Sequence, residues 1–386
     1  MASDFPSTGD AARNHRDAFT LLELLVAMAV MALIMVLIGQ MFSAVSKSWK
    51  SNTGRAASFA AARAAVEAMS RNLSQATLAT YLSYADSDGN PVPLINPSFR
   101  PASGNVTRSS VPTQYLRMSE LHFITGSVGD LFAEASVSGL VTTGQAVFFQ
   151  APTGFVQEQA NRPKASLLNV LGYYIEFGGD DIFKPGVVKV ATRSRYRLME
   201  VAQPAERNAI YESTCELDSN GLASYSYDLG WIASLGLALA DAPKQPLAEN
   251  IIALALLPRL SRFQSAKPDE LTKDFSYDSR AWEGNATSSA PRLRNQLPPL
   301  VELVIVAIDE PSAQKLAQLY GGADGKSPPF ADAGVRAKVD LEALFKDSTK
   351  LEDDIKTIEA GLSSLQLSYR VFRTTVAMHG AKWTEK

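Results

Sequence analysis

Between Leu24 and Ile38 the chain reads LLVAMAVMALIMVLI, fifteen consecutive positions without a polar side chain. From Phe19 to Phe42 the only charge is Glu23. About 20 helical residues at 1.5 Å each cross a hydrocarbon layer of roughly 30 Å, so this run is long enough to span a membrane. Its nine Leu, Val and Ile residues give roughly -3 to -5 kcal/mol for insertion, at about -0.3 to -0.6 kcal/mol each. A membrane helix is therefore expected over a buried core helix. A cleaved secretory signal has an apolar region of about 7 to 15 residues followed by a small-residue exit. Here Gly39-Gln40-Met41-Phe42 continue the run without such an exit, which argues against an ordinary signal peptide.

Glu23 is the anomaly within this segment. A carboxylate near the head of a membrane helix is costly unless it is paired or lies near the interface. One reading places Glu23 at the headgroup boundary, simply solvated. A second starts from the preceding residues, Asp17-Ala18-Phe19-Thr20-Leu21-Leu22. A cut between Ala18 and Phe19 creates an amine on Phe19, four residues before Glu23. Helices packed side by side with a small axial offset then bring that amine to a neighbour's Glu23. Buried charges are tolerated when paired and costly when not, so the carboxylate would set the register between subunits.

At these residues the chain resembles the type IV pilin superfamily, whose members open with a leader and the motif [GA]-F-T-L-[LIV]-E. Ala18-Phe19-Thr20-Leu21-Leu22-Glu23 matches it, and Leu24-Leu25-Val26-Ala27-Met28-Ala29-Val30 continues in the same style. The resemblance implies that a prepilin peptidase cuts between Ala18 and Phe19 and methylates Phe19, and that Glu23 is the assembly carboxylate. Ala18 stands where Gly is more usual. It also implies an inner-membrane, single-pass protein with an extracytoplasmic C-terminal head, joining a filament with other pilin-like subunits. The leader carries Asp4, Asp10 and Asp17 beside Arg13 and Arg16, and Lys47, Lys50 and Arg55 follow the apolar run. The distribution of positive charge therefore barely selects an orientation, and leader-inside topology rests on the resemblance.

The expected organisation is a leader (1–18), a transmembrane and assembly helix (19–42), an amphipathic continuation (43–80) and a globular head (81–386). From Arg55 to Thr77 there is no proline and there are nine alanines, a strong helix composition. Phe59, Ala62, Val66, Met69, Leu73 and Ala76 form one apolar stripe, and Arg63, Glu67 and Arg71 lie four apart on another face. Strands are expected at Gln114–Met118, Glu120–Thr125, Gln145–Ala151, Leu171–Phe177 and Arg193–Glu200. Asn250–Leu257 and Leu300–Asp309 read as central strands ended by Pro258 and Pro311. Helices are expected over Ser312–Tyr320 and Lys350–Leu365, and a closing strand over Tyr369–Met378. The stretches 203–248 and 261–298 read as surface insertions. The expected class is α+β, a long helix packed on an antiparallel sheet with large loops.

Two further resemblances lie in the head. Leu256-Leu257-Pro258-Arg259, a later Trp282 and Leu297-Pro298-Pro299-Leu300-Val301 resemble J-type minor pseudopilins. Together with Gly172-Tyr173-Tyr174, Arg197-Leu198-Met199-Glu200 and Tyr369-Arg370-Val371-Phe372-Arg373, the chain resembles the Verru_Chthon cassette protein C family, known chiefly for its pilin-like start.

Little else suggests chemistry. With 37 basic against 40 acidic side chains, there is no electrostatic ground for nucleic-acid binding. The single cysteine, Cys215, excludes an intrachain disulfide and a cysteine-cluster zinc site, and it has no neighbouring histidine. His15, His122 and His379 are scattered, and the alternation around His122 suggests a structural role. Gly321-Gly322-Ala323-Asp324-Gly325-Lys326-Ser327 fails as a phosphate loop, because Tyr320 stands where a glycine is required and Pro328-Pro329 follow. Asp86-Ser87-Asp88-Gly89-Asn90 reads as a turn; as a calcium loop it lacks a third in-line ligand. Gly178-Gly179-Asp180-Asp181 likewise reads as a strand-ending turn before a cation site. No enzyme, cofactor or metal is expected. The expected function is a structural subunit, a minor pilin or pseudopilin, 368 residues long after the cut, whose large head suits a tip or low-copy place. The alternative is a signal-anchored exported enzyme or binding protein. A third option, adhesion through Tyr225, Tyr227 and Trp231, competes with those aromatics being core.

Overall fold

The computed structural model describes residues 20–85, 114–162, 166–184, 192–217, 223–225, 229–262, 271–272, 274–280, 295–322 and 326–383. The chain divides into two compact units, Met1–Thr53 and Gly54–Lys386. Helix α1 (Leu21–Ser74) contributes to both.

In the first unit, α1 is apolar on every side. Its stretch Leu21–Ser46 is long and apolar enough to cross a membrane, with none of its most apolar window buried. A helix that is apolar all round belongs in a large core or in a bilayer.

In the second unit the same helix becomes amphipathic. Ala62, Ala65, Val66, Met69 and Leu73 are buried, and Phe59 packs at their edge. Opposite this stripe, Arg63 Nε meets Glu67 Oε1 at 3.0 Å. Polar contacts also fix the helix to the rest of the unit. Asn72 Nδ2 donates to Tyr173 Oη at 2.8 Å, and Tyr173 Oη donates to Glu200 Oε1 at 2.8 Å. Arg55 Nε lies 2.8 Å from Asp309 Oδ2, whose side chain is fully buried.

The strands in chain order are β1 (Tyr81–Ala85), β2 (Gln114–Met118), β3 (Ile124–Ser127), β4 (Val141–Ala151), β5 (Asn169–Gly178), β6 (Arg195–Gln203), β7 (Cys215–Leu217), β8 (Ala223–Tyr225), β9 (Lys244–Glu249), β10 (Ile251–Arg259), β11 (Tyr277–Asp278), β12 (Leu300–Ile308) and β13 (Tyr369–Ala377). The helices after α1 are α2 (Val128–Glu134), α3 (Ala209–Thr214), α4 (Gly230–Ala233), α5 (Glu310–Tyr320), α6 (Ala333–Arg336) and α7 (Leu351–Ser364). Six strands form one sheet in the order β11-β3-β4-β5-β6-β9, and three form another, β10-β12-β13. Every pairing in both sheets is antiparallel. The fold class is α+β, a long apolar N-terminal helix followed by antiparallel sheets and loops, as in pilin-like proteins.

Alternation sorts the aromatics of the larger sheet. Tyr173 on β5 lies opposite Val147 and Glu200, on the face that reaches Asn72 of α1. Phe148 and Tyr174 point the other way, where Phe132 of α2 and Trp231 of α4 meet them edge-on. Gly172 pairs with Phe148 across the strands. A Cβ there would collide with the Phe148 ring, so the glycine gives the ring its place.

The smaller sheet is tied by charge as well as by its ladder. Glu302 on β12 is nearly buried between Arg259 of β10, at 2.9 Å, and Arg373 of β13. Arg373 also reaches Glu352 of α7 at 2.5 Å. α7 in turn packs closely at Gly361, where a Cβ would overlap Val339 and stand 2.5 Å from the Lys338 carbonyl oxygen. Alanine usually stabilises a helix over glycine by roughly 0.5–1 kcal/mol, but overpacking costs about 1–3 kcal/mol. Gly361→Ala is therefore expected to lower the urea midpoint; an equal or higher midpoint would show that the 338–339 backbone yields.

Several expectations need correction. β10 does not stop before Pro258 but runs to Arg259, with Pro258 opposite Val301. Nor is it central in its sheet. It is an edge strand, which tolerates a residue without an N–H, yet it is buried because it lies against β4, β5 and β6. The stretch 203–248 is not merely a surface insertion. It contributes β9 to the larger sheet and buries Trp231, Ile232, Leu235 and Leu237 in the core. In 261–298, Phe275 and Tyr277 are core residues, and β11 extends the sheet beside β3. The strand expected over Glu120–Thr125 begins only at Ile124.

Candidate processing and assembly site

Of the three residues singled out in the sequence, Ala18 and Phe19 lie outside the described residues. Glu23 lies in the first turn of α1 and is exposed. It is not unoccupied. The Thr20 backbone N–H donates to Glu23 Oε2 at 3.0 Å, and the Thr20 hydroxyl reaches the same oxygen at 3.1 Å. In return the Glu23 N–H donates to Thr20 Oγ1 at 3.3 Å. This reciprocal arrangement is a capping box, which satisfies two helix-end donors that have no partner within the helix. Negative charge in a first turn is also favoured by the helix dipole. Glu23 thus starts the helix. Thr20 was not singled out in the sequence, although Thr-x-x-Glu immediately before an apolar run carries that signal.

The carboxylate has no cationic partner among the described residues of this single chain. A second charge would have to come from residues outside the described ones, such as those before Thr20, or from another molecule.

The same segment matches a known family. Residues 13–39 match the prokaryotic N-terminal methylation motif. That match supports a type IV pilin-like protein. It covers the leader end, the Ala18/Phe19 junction, the capping box and most of the apolar run. It indicates processing by a prepilin peptidase and assembly with pilin-like subunits, and it points to a structural protein. Compared with curated proteins and with solved structures, the chain has no match.

Elsewhere the most catalytic-looking cluster is His122, Asp278 and Trp231. His122 Nε2 lies 2.6 Å from Asp278 Oδ1, a spacing that in an enzyme would orient a general base. Its other nitrogen, however, accepts from Trp231 Nε1 at 3.1 Å. An indole nitrogen only donates, so Nδ1 is the acceptor and Nε2 carries the proton given to Asp278. Burial lowers the His122 pKa against the pull of Asp278. Burial raises Asp278, but His122 and the Arg280 N–H outweigh it and hold the carboxyl below its usual value. A neutral imidazole with both nitrogens engaged and no exposure has no position for a substrate. Its work is to tie β11 and α4 to the segment before β3.

The other candidates resolve similarly. Asp180 Oδ1 meets Lys184 Nζ at 2.7 Å and the Arg193 N–H at 2.9 Å. Desolvation pushes its carboxyl up, but these partners outweigh it and hold it at about 2. Thr192 donates to Asp181. Arg197 closes this loop from beneath, donating to the Gly178 carbonyl at 2.7 Å and the Arg193 carbonyl at 3.1 Å. Asp180 is therefore neutralised by the protein's own cations, while Asp181 accepts from a hydroxyl. Gly321 ends α5 where a phosphate loop would have to begin a helix, and 323–325 lie outside the described residues. Asp86 and Asp88, Tyr227 and Trp282 also lie outside them. Cys215 opens β7, and His379 donates its backbone N–H to the Ser74 carbonyl. Trp231 is fully buried, which removes it from any adhesive surface. No group of three or more His, Cys, Asp or Glu suited to a metal occurs among the described residues.

Proposed function

We propose that this chain is a minor pilin or pseudopilin of a type IV pilus-like or type II secretion-like filament. The inner membrane holds it by α1 before assembly, with the C-terminal head on the extracytoplasmic side. A prepilin peptidase cuts between Ala18 and Phe19 and methylates the Phe19 amine. Glu23 then pairs with the corresponding amine of a neighbouring subunit. The observation that carries this reading is the methylation motif over residues 13–39, in register with a helix whose first turn holds Glu23.

The large head supports a low-copy or tip position, because subunits in the body of a filament must be shielded by near neighbours. The resemblance of the Pro258 and Pro298 regions to J-type minor pseudopilins supports that placement, and that of Gly172-Tyr173-Tyr174, Arg197–Glu200 and the closing strand to the Verru_Chthon cassette protein C family supports only the pilin-like reading. These strings fall largely in β5, β6, β10, β12 and β13.

The direct test is mass spectrometry of the N-terminal peptide from native membranes. A peptide beginning at methylated Phe19 is the expected result. An intact leader, or a terminus beyond Phe42, would return the chain to the signal-anchored alternative, an exported enzyme or binding protein.

A further inference from the structure

Trp49 is the large aromatic residue of the first unit that no described contact explains. It is 74% exposed on α1, three residues beyond the end of the apolar span at Ser46. It belongs to no part of the hydrophobic core. A single exposed apolar side chain is ordinary on a protein surface; the place of Trp49 along α1, just past the apolar span, is what singles it out.

The spacing along α1 identifies the surroundings of Trp49. Leu24 to Val45 covers 22 residues whose large apolar side chains are exposed, or about 33 Å of helix at 1.5 Å per residue. That matches a hydrocarbon core of roughly 30 Å. From Glu23 to Trp49 is about 39 Å by the same rise, close to the roughly 40–45 Å of a bilayer with its polar layers. When the apolar stretch fills the core, Glu23 and Trp49 fall in opposite polar layers. Each suits its place. The Glu23 carboxylate is hydrogen-bonded at the helix start and stays hydrated. An indole has an apolar body for the acyl chains and one N–H for ester carbonyls or water, which is why tryptophan gathers at membrane interfaces.

We infer that Trp49 lies in the carbonyl and headgroup layer of a phospholipid bilayer, where with Glu23 in the opposite layer it sets how deep α1 sits before assembly. The inference rests on the membrane-held reading above and adds to it a lipid-facing positioning residue. It also removes the need for Glu23 to be buried in hydrocarbon while the subunit waits. The charge becomes a problem to be solved by pairing only when the helix leaves the lipid.

The test uses the full-length chain reconstituted in phosphatidylethanolamine and phosphatidylglycerol vesicles carrying brominated acyl chains. The Trp49 contribution is read as the emission of the wild type minus that of Trp49→Phe, because Trp231, Trp282 and Trp383 remain in both. Matching circular dichroism of the two proteins checks that the head is unchanged. The expected result is a blue-shifted Trp49 emission, quenched more by bromine near the glycerol end than by bromine near the chain ends. Emission insensitive to both positions would place Trp49 in water and overturn the inference; strongest quenching by the deep bromine would place it in hydrocarbon and do the same. Alkaline carbonate extraction of the same vesicles separates the two levels. A chain that washes off removes the membrane-held reading together with this one, whereas a retained chain with unquenched Trp49 removes only the depth assignment.

Discussion

Glu23→Val is expected to insert into the membrane as well as the wild type and yet to be lost from the filament fraction. Valine favours insertion, so membrane retention should not fall. In the assembled state the variant presents no carboxylate to its neighbour's Phe19 amine. Leaving one member of a buried pair without its partner costs about 3–5 kcal/mol, and each 1.4 kcal/mol is tenfold in an equilibrium. Incorporation should therefore drop roughly a hundredfold or more. The capping box supplies the control for this experiment. Valine also removes the acceptor for the Thr20 N–H, so a loss of assembly alone does not separate charge from helix start. Glu23→Gln keeps a side chain that can close a capping box while removing the charge. Failure of both variants identifies the charge; normal assembly of Glu23→Gln assigns the effect to capping and overturns the pairing. Immunoblotting of sheared filaments against membranes reads both.

The second large effect is in the head. Trp231→Ala removes a fully buried indole that packs edge-on against Phe148, and truncations of this kind cost about 3–5 kcal/mol. It also leaves His122 Nδ1 without its donor, and a buried group without a partner adds about 1–3 kcal/mol. Trp231→Phe restores much of the volume but not the N–H, and should fall between the two. Urea unfolding of detergent-solubilised protein measures the series. An alanine variant as stable as the wild type would show that the His122–Asp278 pair is held by other means. The N-terminal peptide mass should be unchanged in both variants, because the processing motif ends at residue 39. Glu23 and Trp231 thus separate assembly from folding.

What could be read from the sequence depended on how local the cause was. The stripe of α1 was legible because helical packing repeats every three or four residues. All of Ala62, Val66, Met69 and Leu73 are buried as the spacing requires, and only Ala65 was overlooked. α5 and α7 followed for the same reason. β10 was misread at its end because a proline breaks a strand only where the ladder needs its N–H, and an edge is not visible in one dimension. The stretch around Trp231 was misjudged because its buried residues sit on short elements without a long period. The methylation motif over residues 13–39 is contiguous and is legible as a string. The ring of hydrogen bonds around His122 was not, since its members are separated by 109 and 156 residues and meet only when the sheet has formed.

The end of the chain closes structures begun at its start. β13 pairs with β12 through nine residue pairs, and the next turn lays the His379 N–H on the Ser74 carbonyl. Gly380 approaches so closely that a Cβ there would stand 2.6 Å from the Ala76 carbonyl oxygen. Until β13 has been synthesised, β12 has one neighbour instead of two, and a bare strand edge invites pairing with other chains. The smaller sheet is therefore complete only once β13 has joined it, long after the segment that matches the methylation motif has been made. A chain lacking β13 would still carry residues 13–39 and the apolar span unchanged, but would leave β12 with one open edge.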